Sequence, residues 1–173
     1  NGDGILEIVA ASRAAPAGTV HVLTIEGNPY SDDWPQTLDK TPAVTPSIGD
    51  VNGDGEKEIV IFSTASQYVF DLDGSVLEGY QVAELRADFP IVKTGGLEGI
   101  ISIADVDGDE QPELIFGSNL YDAGSGTSFL HAFELDGTGQ VAGFPIRPRG
   151  WTFMNGAAIG DINGDAMMDA VLL

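Results

Sequence analysis

The chain has 173 residues, no cysteine, and 27 acidic against 7 basic side chains, for a formal charge of −20. That charge argues against nucleic acid and anionic membrane surfaces as partners, since both would be repelled, and the missing cysteines exclude a disulfide framework. No apolar run approaches the roughly 20 residues that cross a bilayer as a helix, so membrane insertion is not expected.

In chain order, the sequence opens on an acidic phrase, NGDGILE from Asn1, followed by a short apolar run. A strand, VHVLTIEG, then ends in an acid-Gly turn at Gly27. The segment Thr45-Pro46-Ser47-Ile48 is expected as a strand leading into DVNGDGEKE from Asp50, after which Ile59-Val60-Ile61-Phe62 reads as a buried strand. QYVFDLDG closes on the turn at Gly74, and a weaker strand is expected beyond Gly79-Tyr80. The order then repeats: Ile100 to Ala104, DVDGDEQPE from Asp105, Leu114-Ile115-Phe116, LHAFELDG ending at Gly137, and Gly143-Phe144-Pro145. A fourth acidic phrase, DINGDAMMD from Asp161, precedes Ala170-Val171-Leu172-Leu173. No segment of useful length has helical periodicity with caps.

The acidic phrases share one register. Oxygen-bearing side chains occupy the first, third, fifth and ninth places: Asp50, Asn52, Asp54 and Glu58; Asp105, Asp107, Asp109 and Glu113; Asp161, Asn163, Asp165 and Asp169. The opening copy lacks its first place and keeps Asn1, Asp3 and Glu7. The seventh residues, Ile5, Glu56, Gln111 and Met167, are expected to offer backbone carbonyls. Carboxylates this close repel, and Lys57 is the one base within the loops. A hard cation that takes six to eight oxygens reconciles them, which predicts one Ca2+ per loop, three to four in the chain. An EF-hand is excluded, because its twelfth-place Glu is replaced by Ile61, Phe116 and Leu172 and strands, not helices, follow. An acidic hairpin turn that binds nothing explains a single copy but not four in register.

The loops recur after 51, 55 and 56 residues, a period that fits one supersecondary unit per repeat. Each full unit reads as strand, acidic loop, strand, strand, acid-Gly hairpin and a weaker fourth strand, which is the description of a propeller blade. The expected fold is therefore all-β: a partial β-propeller of four-stranded antiparallel blades with calcium loops between the first and second strands. Its expected divisions are an incomplete blade over 1–41, blades over 42–95 and 96–150, and a half blade over 151–173. Since propellers close with about four to eight blades, the chain is expected to be part of a longer protein whose remaining blades are its first partners.

SIGDVNGDGEKEIVIFS, SIADVDGDEQPELIFGS, AAIGDINGDAMMDAVLL and FDLDGSVLEGY resemble the FG-GAP and VCBS-type repeats that build integrin-like β-propellers, over essentially the whole chain. The resemblance implies one calcium ion in each acidic loop joining the first two strands of a blade. The chain departs from that pattern at the sixth loop place, where Glu110 and Ala166 stand for the usual Gly, and in lacking the full Phe-Gly…Gly-Ala-Pro signature.

No catalytic set is expected. His21, Tyr68 and His131 each fall six residues before a turn glycine, a repeated strand position that marks a structural role. Asp32-Asp33 and Asp71/Asp73 read as turn and strand-edge acids. Tyr30, Trp34, Tyr80, Phe89, Phe144, Trp151 and Phe153 are expected to pack between blades, with a sugar-stacking platform as the functional alternative. Arg147 and Arg149 among Pro145, Pro148 and Trp151 form the one basic aromatic patch, a hint of an anionic or glycan ligand. The functional expectation is a non-enzymatic, calcium-binding scaffold, secreted or at the cell surface, for adhesion or for a protein or glycan ligand. The alternatives are an accessory or substrate-binding propeller of a secreted hydrolytic enzyme and a structural repeat of an extracellular assembly.

Overall fold

The computed structural model describes residues 2–14, 16–85, 100–120, 127–136, 139–148 and 156–171. Among these the chain is all-β, and every strand pair is antiparallel. It forms two compact units, Asn1–Leu85 and Arg86–Leu173.

The first unit holds two three-stranded sheets. One joins β1 (Ile8–Ser12), β2 (Thr19–Leu23) and β3 (Gln36–Thr37) in that order. The other joins β4 (Ser47–Gly49), β5 (Glu58–Phe62) and β6 (Gln67–Phe70). β4 begins just after Pro46, two residues later than the sequence suggests. β5 is buried along its whole length, Glu58 included. A strand covered on both faces is a continuous apolar run instead of an alternating one, and EIVIF has that composition.

The second unit repeats the plan. β7 (Ser102–Ala104), β8 (Glu113–Leu120) and β9 (Thr127–Glu134) form one sheet, and β10 (Ala158–Gly160) pairs with β11 (Asp169–Val171). Ile115, Leu130, Ala132, Val141 and Ala157 form a core cluster against which Val106, Phe144, Ile159 and Ala170 pack.

The expected fourth strand departs from expectation in the two middle sheets. It reduces there to single bridges, Phe70 with Val76 and Gln67 with Val82 beside β6, and Phe133 with Gln140 and Leu130 with Ile146 beside β9. Gly79 and Gly143 sit between the two bridges of each pair with φ of 90° and 96°, so the backbone leaves the extended conformation midway. Pro145 removes a further donor from the second segment. Only two bonded positions survive on either side, too few for a regular strand.

His21, Tyr68 and His131 stand at one register position, opposite Ala10, Ile61 and Phe116. Tyr68 accepts a hydrogen bond from the Asp39 amide at 3.0 Å, and His21 Nε2 lies 2.8 Å from Thr19 Oγ1. His131 is 2 % exposed and stacks against both Phe116 and Phe133, which also stack on each other. Its Nδ1 is 2.9 Å from Gln140 Oε1, which accepts, so Nε2 accepts from Ser118 Oγ at 2.6 Å. Buried beside aromatic rings and with both ring nitrogens of His131 in hydrogen bonds, the Ser118–His131 pair acts as a satisfied polar core.

Burial pushes the His131 imidazole down to about 4, against the opposing effect of the Gln140 contact. Its contribution to stability is whole above the unfolded value near 6.5 and is lost as pH falls from there through about 4. The loss reaches about 3 kcal/mol at most. Urea midpoints measured between pH 7.5 and 4 should show this decline, and His131→Gln should remove that part of it; equal pH slopes in the two proteins would contradict the assignment.

Candidate metal centre

The second, third and fourth acidic loops are built by the same short hydrogen bonds from their own backbone. In the second loop, Asp50 accepts from Gly53 N at 2.7 Å and from Gly55 N at 2.9 Å. Asn52 Oδ1 accepts from Asp54 N at 3.0 Å, Asp54 Oδ1 from Glu56 N at 2.8 Å, and Glu58 Oε2 from Val51 N at 2.8 Å.

The third loop reproduces these bonds: Asp105 with Gly108 N (2.6 Å) and Glu110 N (3.0 Å), Asp107 with Asp109 N (3.2 Å), Asp109 with Gln111 N (2.8 Å), and Glu113 with Val106 N (2.7 Å). In the fourth, Asp161 accepts from Gly164 N (2.6 Å) and Ala166 N (3.0 Å), Asn163 from Asp165 N (2.9 Å), Asp165 from Met167 N (2.9 Å), and Asp169 from Ile162 N (3.0 Å). In the first, Asp3 accepts from Ile5 N at 2.7 Å; Asn1 lies outside the described residues, and Glu7 directly precedes β1.

These bonds explain the spacing. A first-place Asp holds two amides at once, three and five residues on, which curls the loop around its carboxylate. The ninth-place acid reaches back to the second-place amide and ties the mouth of the following strand to the loop. Two backbone positions must be left-handed for this path. The fourth place is so at Gly2, Gly53, Gly108 and Gly164, and the sixth at Gly4, Gly55, Glu110 and Ala166, the last two with φ of 70°. The loop path therefore persists where the sequence lacks glycine, at a strain cost of about 1–2 kcal/mol per residue.

The third loop gathers the densest charge. One ligand oxygen from each of Asp105, Asp107, Asp109 and Glu113 lies within 4.8 Å of the others. Oxygens on opposite sides of a calcium ion stand about 4.6–5.2 Å apart, twice the metal–oxygen distance, so this donor set fits that shell. Glu113 is fully buried; Oε2 is held by Val106 N, while Oε1 has no hydrogen-bond partner. An orphaned carboxylate oxygen inside a protein is costly, and a cation among the four carboxylates would satisfy it. Burial pushes the Glu113 carboxyl up to about 7, with Asp107, Glu134 and Asp105 adding to the effect against the Val106 amide. Glu58, 1 % exposed, is raised for the same reasons, burial first and then the charges of Asp54, Asp50 and Asp71.

Loops three and four are neighbours within their unit, since the Met167 side chain lies against Gly108, where a Cβ would meet its Cε at 3.1 Å. The seventh-place residues Ile5, Glu56, Gln111 and Met167 donate their backbone N–H to the fifth-place Asp.

Several candidate ligand-binding residues have other places. Trp34 is 4 % exposed, packs edge-on against Phe70 and donates its indole N–H to Leu72 O at 2.8 Å. Phe144 packs on the core cluster. These two are packing residues. Phe89, Arg149, Trp151 and Phe153 lie outside the described residues. Strand pairing also brings the charges of Asp71 and Glu134 close enough to raise Glu58 and Glu113, which a reading along the chain misses.

Relief of the strain at the sixth place is measurable. Ala166→Gly should stabilise the metal-free protein by about 1 kcal/mol, because glycine adopts φ of 70° without the Cβ clash. Chemical denaturation in chelator checks this, and a destabilised Ala166→Gly protein would show that the loop is unstrained.

No curated protein matches the chain. Among solved structures, the V. cholerae biofilm matrix protein Bap1 is similar with a TM-score of 0.49 and 17 % identity, over 97 % of this chain and 32 % of Bap1. The chain thus spans about a third of that protein's length. The FG-GAP-like repeat family matches residues 1–61, the stretch that runs from the first acidic loop through the second and into β5. The chain carries an FG-GAP-like repeat.

Proposed function

We propose that the chain is a segment of a calcium-stabilised β-propeller of four-stranded blades, working as an extracellular scaffold for adhesion or for binding a protein or glycan ligand. The observation that carries this reading is the third loop, where oxygens of four carboxylates lie within 4.8 Å of one another and one of the four, Glu113, is buried with an oxygen that has no hydrogen-bond partner. The recurrence of its hydrogen bonds in the second and fourth loops extends the reading to them, and the FG-GAP-like repeat over residues 1–61 supports it.

In this reading Asp50, Asn52, Asp54 and Glu58, and their counterparts in the other loops, hold the ion, with the carbonyls of Ile5, Glu56, Gln111 and Met167 completing the shell. Bound calcium supplies charge neutralisation. The chain's own residues do the rest: the ninth-place acid couples the loop to the strand that follows, so a filled loop fixes the hairpin between two strands. A shell made of side chains, a carbonyl and water leaves the ion a structural role, and calcium lowers the pKa of bound water less effectively than zinc. The ligand then binds elsewhere, on other loops or between blades. Sites of modest affinity would fill where calcium is near millimolar, which supports an extracellular setting for this reading. Among the described residues no helix is long and apolar enough to cross a membrane.

Calorimetric melting tests the reading. Calcium at 100-fold above its dissociation constant should add about 2.7 kcal/mol per site. Excess chelator should lower the melting temperature, and magnesium, which demands a tighter octahedral shell, should restore it poorly. Asp54→Ala should cost at least as much total calcium affinity as Asp165→Ala, because the second loop has glycine at both left-handed places. An unchanged melting curve in chelator would refute the proposal.

A further inference from the structure

The nine-place loop does not contain all the charge around the third site. β8 and β9 pair so that Glu113 stands directly opposite Glu134. Residues opposite one another on antiparallel strands project from the same face with Cβ atoms about 4.5–5.5 Å apart, and like charges in that relation are destabilising. Here one partner is fully buried with an unsatisfied oxygen, and the other is half-buried. Burial raises the Glu134 carboxyl above the ordinary range, and Asp107, Asp109 and Asp136 raise it further, so this strand residue is within electrostatic reach of the loop acids.

No basic side chain offsets this charge locally in the sequence: no Lys or Arg occurs between Lys93 and Arg147. The other sheets differ at the same place. One step beyond the pair Ile8–Leu23, Thr24 comes opposite Glu7; one step beyond Ile59–Phe70, Asp71 comes opposite Glu58. The first sheet therefore has a neutral residue there, and the second has an acid with one base, Lys57, in its loop sequence. The third has an acid with Pro112 where Lys57 stands.

We propose that Glu134, which stands outside the group of four converging oxygens but opposite Glu113 across the sheet, adds a fifth negative charge beside the third metal site that raises its affinity for cations and biases it toward ions of higher charge. The inference rests on reading the acidic loops as calcium sites. Asp105, Asp107, Asp109, Glu113 and Glu134 together carry five negative charges when ionised, against two on calcium. The Coulomb attraction of an added charge grows with the charge of the ion, so a trivalent ion gains more from Glu134 than a divalent one.

Calcium titration calorimetry and terbium luminescence on the whole chain test this, with the third-loop component identified as the one that Asp109→Asn removes. Glu134→Gln should weaken that component about tenfold for calcium and about thirtyfold for terbium, the Coulomb effect of one charge several ångströms from the ion. It should also raise the melting temperature in chelator, since a like-charge pair is gone, and shrink the gain on adding calcium. Glu134→Thr, which copies the first sheet, should behave like Glu134→Gln, and Glu134→Asp should retain most of the affinity. Equal affinity in wild type and both neutral variants overturns the inference while leaving the calcium reading intact. An equal loss in Glu134→Asp also overturns it, because the role would then be packing and not charge. If the wild-type protein binds neither ion, the calcium reading and the inference fall together.

Discussion

Repulsion among carboxylates crowded into nine residues is the constraint on which the rest of this protein depends. The loops answer it in two stages. Backbone amides take one share of the carboxylate lone pairs, and this determines the loop's path, with left-handed residues at the fourth and sixth places. In the third loop, one oxygen from each of four carboxylates lies within 4.8 Å of the others. The first stage is complete in the chain alone; the second calls for a cation.

The two stages have different ranges. Amide bonds within the loop are local and would form in any fold that allowed the turn. The ninth-place acid is different, because it is both loop and strand. Glu58 and Glu113 are anchored at the mouths of β5 and β8, which are buried strands, and are carried into the interior with them. An exposed carboxylate would be solvated and indifferent to a missing partner. A buried one transmits the state of the loop to the core, which is how filling a surface loop could stabilise a sheet.

The polar cores at His21, Tyr68 and His131 show the same repeat logic without charge. One register position is given to His in two sheets and to Tyr in the third, each hydrogen-bonded to a neighbour within its own sheet or the adjoining segment. The repeat thus keeps a place for a large polar residue while the partners vary from sheet to sheet.

Local features were legible in the sequence because they depend on local physics. The acidic register, the strands after each loop, the acid-Gly turns and the need for φ > 0 at the sixth place all follow from residue type and spacing. Tertiary structure decided the rest. The fourth strand shrank to isolated bridges because Gly79 and Gly143 turn the backbone midway, which a count of β-prone residues overlooks. Trp34, read from the sequence as a packing residue, donates its indole N–H to Leu72 O, a partner 38 residues away that the sequence does not indicate. Glu113 has an orphaned oxygen because β8 takes it inside, and Glu134 joins it because antiparallel pairing sets two residues side by side that are 21 positions apart in sequence. Spacing along the chain determined which oxygens could share an ion; only the pairing of strands decided which of them lose water and which distant charge they must face.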